Sequence, residues 1–470
     1  MKLYMPKNQS EQQFFDVVII GGGASGTALL YMLAHYTDIG RIALIEKYPS
    51  VGSVNSNAKN NSQTLHVGDI ETNYSTQKVK EVYPAAMMIK RYSDTLPEAE
   101  RNDIIQTVQK MVLAVGSSEV EELERRYGGL KDIFPSLQKL DAEGIAKVEP
   151  EVMRGRDSKE PVLALFNPQG YAVNYGALAK SFSDNATRRG GERVSLFLGE
   201  EVKHIQKDGD TYLVTTEAHT FSAGVVVVDA DAHSLGFAKR MGYGKEFSLI
   251  PIAGTFFFTP EKLRGKVYRV QDKRMPFAAV HGDPDLTKSG VTRWGPTARF
   301  YPVLEARNLG TSFAFFKNSG LHRLSTWISF ISILLNPVRF WYLVKNFFYD
   351  LPFIGTYIFL PQVQKIVPGL REKDLRFAAD YGGMRLQRVD TRTHELLLGE
   401  GKIIGMNIIF NMTPSPGASV SLYNAMRDVE QIMRFNTAFA FDKERVVADL
   451  CVARSHLSGN DVSLKETYAS

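Results

Sequence analysis

The chain has 470 residues, 44% hydrophobic and 23% charged, with 56 basic against 51 acidic side chains and a net charge of +5. That length supports two or three folded units around a sizeable core, and so mild a charge gives no reason to expect nucleic acid as a partner. The single cysteine, Cys451, excludes an intrachain disulfide and a cysteine-ligated zinc site and points to a reducing cytosol or matrix.

Met1 to Phe14 has no apolar stretch of the secretory kind and reads as a loose tail. Asp16-Val17-Val18-Ile19-Ile20 is short, apolar and β-branched, as a buried strand should be. It runs into Gly21-Gly22-Gly23-Ala24-Ser25-Gly26, then a helical stretch Thr27 to His35 and a second strand Arg41 to Glu46. This is a β-α-β unit of the length a dinucleotide fold needs. Asn55 to Asn73 is irregular and asparagine-rich, and Glu81 to Gly128 reads as mainly helical. Val194 to Asp229 reads as strands, with a hairpin turn at Asp208-Gly209-Asp210. Strands are also expected at Ile250 to Phe258, Val267 to Val280 and Ile403 to Phe410, and a helix at Ser419 to Phe435. Nucleotide-type elements therefore lie near the start, the middle and the end. The expected class is α/β: a Rossmann-like cofactor domain (14–85, 170–235 and 378–440) with an inserted α+β domain on a mixed or antiparallel sheet (86–169 and 236–377). Tails are expected at 1–13 and 441–470.

Gly21, Gly23 and Gly26 fit G-x-G-x-x-G, permitting in turn a tight turn, close approach of a pyrophosphate, and helix–strand packing. Glu46 ends the next strand, twenty residues after Gly26, where a carboxylate accepts hydrogen bonds from ribose hydroxyls and disfavours a 2′-phosphate. FAD and NAD share this fingerprint, so the motif alone does not separate them.

Longer blocks do. Ser53 to Ser75 (SVNSNAKNNSQTLHVGDIETNYS) and Phe410 to Ser419 (FNMTPSPGAS) resemble the malate:quinone oxidoreductases, in the branch found in epsilon-proteobacteria. The likeness continues through Val225 to Tyr243, Leu263 to Asp285 and Trp294 to Ala298, and covers about residues 14 to 435. The family belongs with FAD enzymes shaped like D-amino acid oxidase. The resemblance implies that Gly21, Gly23, Gly26 and Glu46 hold the ADP half of FAD and that Asn60, Ser62 and Gln63 run beside the flavin. It further implies that Val202 contributes to the cofactor site and that Pro416, Gly417 and Ala418 close on the ring. One position departs from the family. Asp231 stands where a glycine is expected near the pyrophosphate, and it calls for a positive φ and brings an unwelcome carboxylate.

Oxidising a 2-hydroxy acid needs a base for the hydroxyl proton, an acceptor for the C2 hydride and a cation for the carboxylates. His281 is the first choice of base: it ends an apolar strand beside Gly282 and Asp283, and the family carries a histidine there. His66, in the flavin-side segment, is the second. The resemblance makes Arg385 the carboxylate clamp, with Arg293 a weaker second cation. No metal-binding or serine-hydrolase pattern is present. The expected reaction is FAD-dependent oxidation of (S)-malate to oxaloacetate with electrons passed to a membrane quinone. The alternatives are a 2-hydroxyglutarate dehydrogenase or oxidase of the same group, and an inactive flavin-binding interaction protein, the latter favoured only by Asp231.

Leu324 to Val338 is uncharged but too short to span a bilayer. Trp327, Phe330, Trp341, Tyr342, Phe347, Phe348 and Tyr349 alternate with Arg323, Arg339 and Lys345, the mixture favoured at a membrane–water interface. Two readings stand: a docking surface on the inner face of the cytoplasmic membrane, giving a cytoplasmic peripheral protein, or a buried helical pair.

Overall fold

The computed structural model describes residues 13–272, 279–351, 353–397, 401–412 and 417–451. The strand Gln13–Ile20 pairs in parallel with Ile42–Glu46 on one side and Thr220–Val228 on the other. A parallel strand covered on both faces has to be apolar throughout, and Val17, Val18 and Ile19 are fully buried. Val194–Leu198 and Ile408–Asn411 extend the parallel set at the two ends. The helices Ala24–Tyr36, Tyr175–Gly190 and Ser421–Phe435 pack together over one face. The turn at Gly209 forms as expected, joining His204–Asp208 to Thr211–Thr215.

The second layer holds two sheets. In the eight-stranded one, Ile105–Val115 runs antiparallel to Val162–Val173 and parallel to Lys266–Arg269. The four-stranded one pairs Phe247–Ala253 with Met384–Asp390. The FAD-binding α/β class and the mixed second sheet are as expected.

Four local expectations are corrected. Ile105–Val115 is a strand inside the region read as helical, because its Val112, Leu113 and Ala114 bury both faces in a sheet. Ile250 to Phe258 is two strands in different sheets, Phe247–Ala253 and Phe257–Pro260. The break falls at Gly254, where a Cβ would lie 3.0 Å from Pro296. Ile403 to Phe410 is a hairpin, Lys402–Gly405 and Ile408–Asn411, turned at Asn407 with φ +55°. The expected tail after 441 begins with the helix Lys443–Leu450, whose Val446 and Leu450 are fully buried against the first core. The strand expected from Val267 stops at Arg269, and residues 273–278 lie outside the described residues.

Leu324–Leu334 and Pro337–Tyr349 are two helices meeting at 88°. Asn336 starts the second, its side chain accepting from Val338 N and Arg339 N ahead of Pro337 at the first turn. Among the described residues no single helix is long and apolar enough to cross a membrane.

Candidate active site

The glycine turn opens onto a cavity of about 750 Å³, in the size range of organic-cofactor sites. At Gly21 φ is +114°, and a Cβ there would sit 2.4 Å from the Asp229 carbonyl oxygen. A Cβ at Gly26 would lie 2.0 Å from the Gly21 oxygen, so the third glycine serves helix–strand contact and is not on the cavity wall. At Gly23 the nearest atom is Ser56 Oγ, 3.5 Å away, which leaves that face open to the cavity. The helix that follows has no acidic side chain in its first turn, which suits an anion there, and its Ala24 N donates to Ser56 Oγ at 2.9 Å. Glu46 lines the cavity, its carboxylate accepting from Gly22 N at 2.6 Å and Tyr48 N at 2.9 Å. Val202, Asn60, Ser62, His66, Arg385, Gly417 and Ala418 line the same cavity, so residues from the early, middle and late chain converge on it. Pro416 lies outside the described residues. An elongated cavity with an anion-ready helix start and a glycine-lined pyrophosphate face fits FAD.

Asp231 takes a φ of +48°, as its glycine-like position requires. Its carboxylate accepts a hydrogen bond from Asn55 Nδ2, and burial pushes its pKa up to about 6. The side chain is therefore engaged by Asn55 on the cavity wall, which eases the conflict with a pyrophosphate.

His66 is on the wall. Its Nε2 lies 3.0 Å from Ser62 Oγ, and its Nδ1 makes a close contact with Glu71 Oε1. Glu71 also accepts from Gly68 N at 2.8 Å. Burial pushes the Glu71 pKa up, but the hydrogen bond and charge of His66 outweigh it, and the carboxyl group is held ionised. An ionised Glu71 can only accept, so Nδ1 carries the proton and Nε2 presents its lone pair towards Ser62. His66 N in turn donates to Ser419 Oγ at 3.1 Å, tying this segment to the late loop.

Arg385 projects from Met384–Asp390 onto the wall. The enclosing fold lowers its pKa, and Tyr342 and Tyr268 are the titratable groups that bear on it. Among the described residues no carboxylate pairs with it. A guanidinium taken from water without an anionic partner is costly, and it is set to receive a carboxylate from a ligand.

His281 lies elsewhere. It is 1% exposed and is not on the cavity wall. Its ring stacks on Tyr268 at 4.2 Å, and its Nε2 is 3.6 Å from Asp283 Oδ1. Burial pulls its pKa down to about 3. Asp283 is held by Lys266 at 3.0 Å and Arg293 at 2.8 Å. Arg293 also meets Asp285 at 3.4 Å and donates to the Asn61 carbonyl at 3.1 Å. The expected second cation is thus spent on two aspartates, Asp283 on the neighbouring strand and Asp285 just after it. Gln63, fully buried with φ +49°, donates to Asp285 at 3.2 Å behind the wall. These charges form a brace for residues 60–66: Lys266 Nζ reaches the Ser62 carbonyl at 3.2 Å.

Sequence reasoning missed Glu71, although its position five residues after His66 in the same loop was a usable signal. It also missed a group around Glu305, assembled from positions up to 258 apart, for which no local signal exists.

Fold and cavity together define an FAD-dependent oxidoreductase. The backbone superposes on glycine oxidase from Geobacillus kaustophilus with a TM-score of 0.61 at 20% identity, covering 94% of this chain and 99% of that one. It also superposes on L-alpha-glycerophosphate oxidase from Mycoplasma pneumoniae with a TM-score of 0.60 at 17% identity, covering 90% and 95%. Residues 16–413 match the FAD dependent oxidoreductase family, DAO. In sequence, the chain is 38% identical to the "Probable malate:quinone oxidoreductase" of Campylobacter jejuni, across 93% of this chain and 99% of that protein. It is 40% identical to a malate:quinone oxidoreductase of Helicobacter pylori, across 93% and 98%. The chain belongs to the FAD dependent oxidoreductases and, among them, to the malate:quinone oxidoreductase family.

Proposed function

We propose that this protein oxidises malate to oxaloacetate and passes the two electrons to a quinone. The observation that carries the reading is the pairing, on one cavity wall, of an oriented imidazole and a guanidinium that has no carboxylate partner among the described residues. The malate 1-carboxylate binds Arg385, whose planar fork fixes it at two points. That contact brings the 2-hydroxyl to His66 Nε2 in place of the Ser62 hydroxyl that faces it, and Nε2 takes the hydroxyl proton. Glu71 holds the ring in the competent tautomer and stabilises the imidazolium that forms. FAD, when bound, supplies the acceptor for the hydride leaving C2. Gly21, Gly23 and Glu46 hold its ADP half, with Val202 beside them. Asn60, Ser62, Gly417 and Ala418 flank its ring, and Gly26 and Gln63 act from behind by packing. His66 replaces His281 as the preferred base because it alone of the two reaches the cavity.

The substrate assignment is tested by initial rates with malate, 2-hydroxyglutarate and lactate, using a soluble quinone analogue as acceptor. Malate is expected to give the highest kcat/KM. A preference for 2-hydroxyglutarate would overturn the assignment.

For the quinone, we infer docking on a membrane surface through the bent helical pair. Leu324, Leu335 and Trp341 are 76%, 74% and 66% exposed, and Arg323, Arg339 and Lys345 lie among them. Exposed apolar and aromatic groups interleaved with cations suit an anionic bilayer interface. Flotation with anionic vesicles is expected to carry the protein to the lipid layer.

A further inference from the structure

The segment 301–311 lines the cofactor cavity with Leu304, Glu305, Asn308, Gly310 and Thr311, and it is pinned near its middle at two points. At the first point Glu305 gathers four donors. Lys47 Nζ makes a close ion pair with it, Tyr48 OH donates at 2.6 Å, His233 Nε2 lies at 2.9 Å and Asn308 Nδ2 donates at 3.2 Å. Lys47 and Tyr48 follow the strand Ile42–Glu46, and His233 lies in the helix Ala232–Arg240, so these three belong to the nucleotide-binding layer. Glu305 belongs to the segment between Arg299–Phe300 and the helix Ser312–Ser319. Two residues on, Arg307, with φ +62°, donates to the Gly382 carbonyl at 2.8 Å and to Asn60 Oδ1 at 2.6 Å, beside the flavin segment. Thr311 Oγ1 accepts from Leu304 N at 3.0 Å and Glu305 N at 3.2 Å, which keeps the bend rigid. Leu304, Glu305 and Asn308 all face the cavity that the glycine turn opens.

We propose that residues 301–311 are a strap closed over the FAD cavity and that the Glu305 cluster is its latch, setting how fast FAD escapes. Four donors on one carboxylate that is 5% exposed form a strong, poorly screened contact. Burial pushes the Glu305 pKa up, but His233, Lys47 and Tyr48 outweigh it, so the carboxylate stays charged. Opening the strap exposes Lys47 and Glu305 separately and breaks the Arg307 pin. The cofactor leaves only as often as that happens.

The test is the rate of FAD loss from the purified holoprotein, followed by the rise in fluorescence of released FAD after dilution into flavin-free buffer. Acid precipitation comes first: yellow supernatant is expected, and colour retained in the pellet would mean a covalent bond and overturn the latch. Glu305→Gln is expected to raise the loss rate at least tenfold, and Arg307→Ala severalfold. Should Glu305→Gln fail to fold, Asn308→Ala takes its place, with a severalfold increase expected. Lys47→Ala separates a latch from a direct contact with the cofactor. An increase confined to Lys47→Ala, with the other variants at the parent rate, would overturn the strap.

Discussion

Two histidines, one in the 60–66 loop and one among the charges that brace it, have opposite fates, and the contrast shows what makes a buried polar group available for chemistry. His66 sits on the cavity wall with Glu71 behind it and Nε2 facing the Ser62 hydroxyl. His281 sits among paired charges on neighbouring strands of the eight-stranded sheet, Asp283 with Lys266 and Arg293, and does not line the cavity. Both have a carboxylate neighbour, so a carboxylate beside a histidine is not the deciding feature. Access to the cavity is. The charged layer serves as a rigid support: its cations hold the Asn61 and Ser62 carbonyls, and so the loop that presents His66.

The comparison breaks most sharply on activity. His66→Gln is expected to lower kcat by about 10²- to 10⁴-fold, the range of a lost general base. His281→Asn should lower it far less and show its cost mainly in thermal stability. Equal losses of kcat in the two variants, measured by steady-state kinetics, would erase the distinction. Next comes Arg385→Lys, which keeps charge but loses the fork. It is expected to reduce kcat/KM for malate by roughly 10²-fold, the size of a broken buried carboxylate contact of about 3 kcal/mol.

Titration sharpens the comparison through stability. Burial, with Asp428 nearby, raises the Asp229 pKa from an ordinary 3.8 to about 7. The folded state then binds this proton more tightly than the unfolded one, so its contribution is full below pH 3.8 and is lost as pH rises towards 7. Asp229→Asn is expected to be more stable than the parent at pH 8, on the order of 2 kcal/mol, with the gain shrinking towards pH 4. His281 has the reverse sign. Its pKa is lowered to about 3, so the fold holds it neutral and stability is lost as pH falls below 6.5. Denaturant melts across pH 4 to 8 check both slopes. The smallest expected effect is at the surface: replacing Trp327 and Trp341 by Ser should weaken vesicle flotation while leaving turnover with a soluble acceptor near the parent level. Equal flotation of parent and variant would count against the docking surface.

The parts of the fold that were legible were those whose signal is local. Val17 to Ile20, Gly21, Gly23, Gly26 and Glu46 are consecutive or nearly so, and each residue type follows from backbone geometry. The turn at Gly209 was legible for the same reason. Ile105–Val115 was not, because an apolar run such as Val112 to Ala114 suits a buried strand or a buried helix, and only its partners in the sheet decide. In the site, Arg385 and His66 were found through the family resemblance, and so was the ranking of His281 above His66, which also drew on its place at the end of an apolar strand beside Asp283; that Lys266 and Arg293 hold Asp283 is visible only in three dimensions. The Glu305 cluster had no sequence signal at all, since Lys47 and Glu305 meet only after the second layer folds over the first.

The most direct test mixes the purified protein with L-malate without oxygen and follows the visible flavin band in a stopped-flow instrument. The parent band is expected to bleach within a turnover, and the His66→Gln band to bleach at least a hundredfold more slowly. A parent band untouched by malate, or a His66→Gln band that bleaches at the parent rate, would contradict the account.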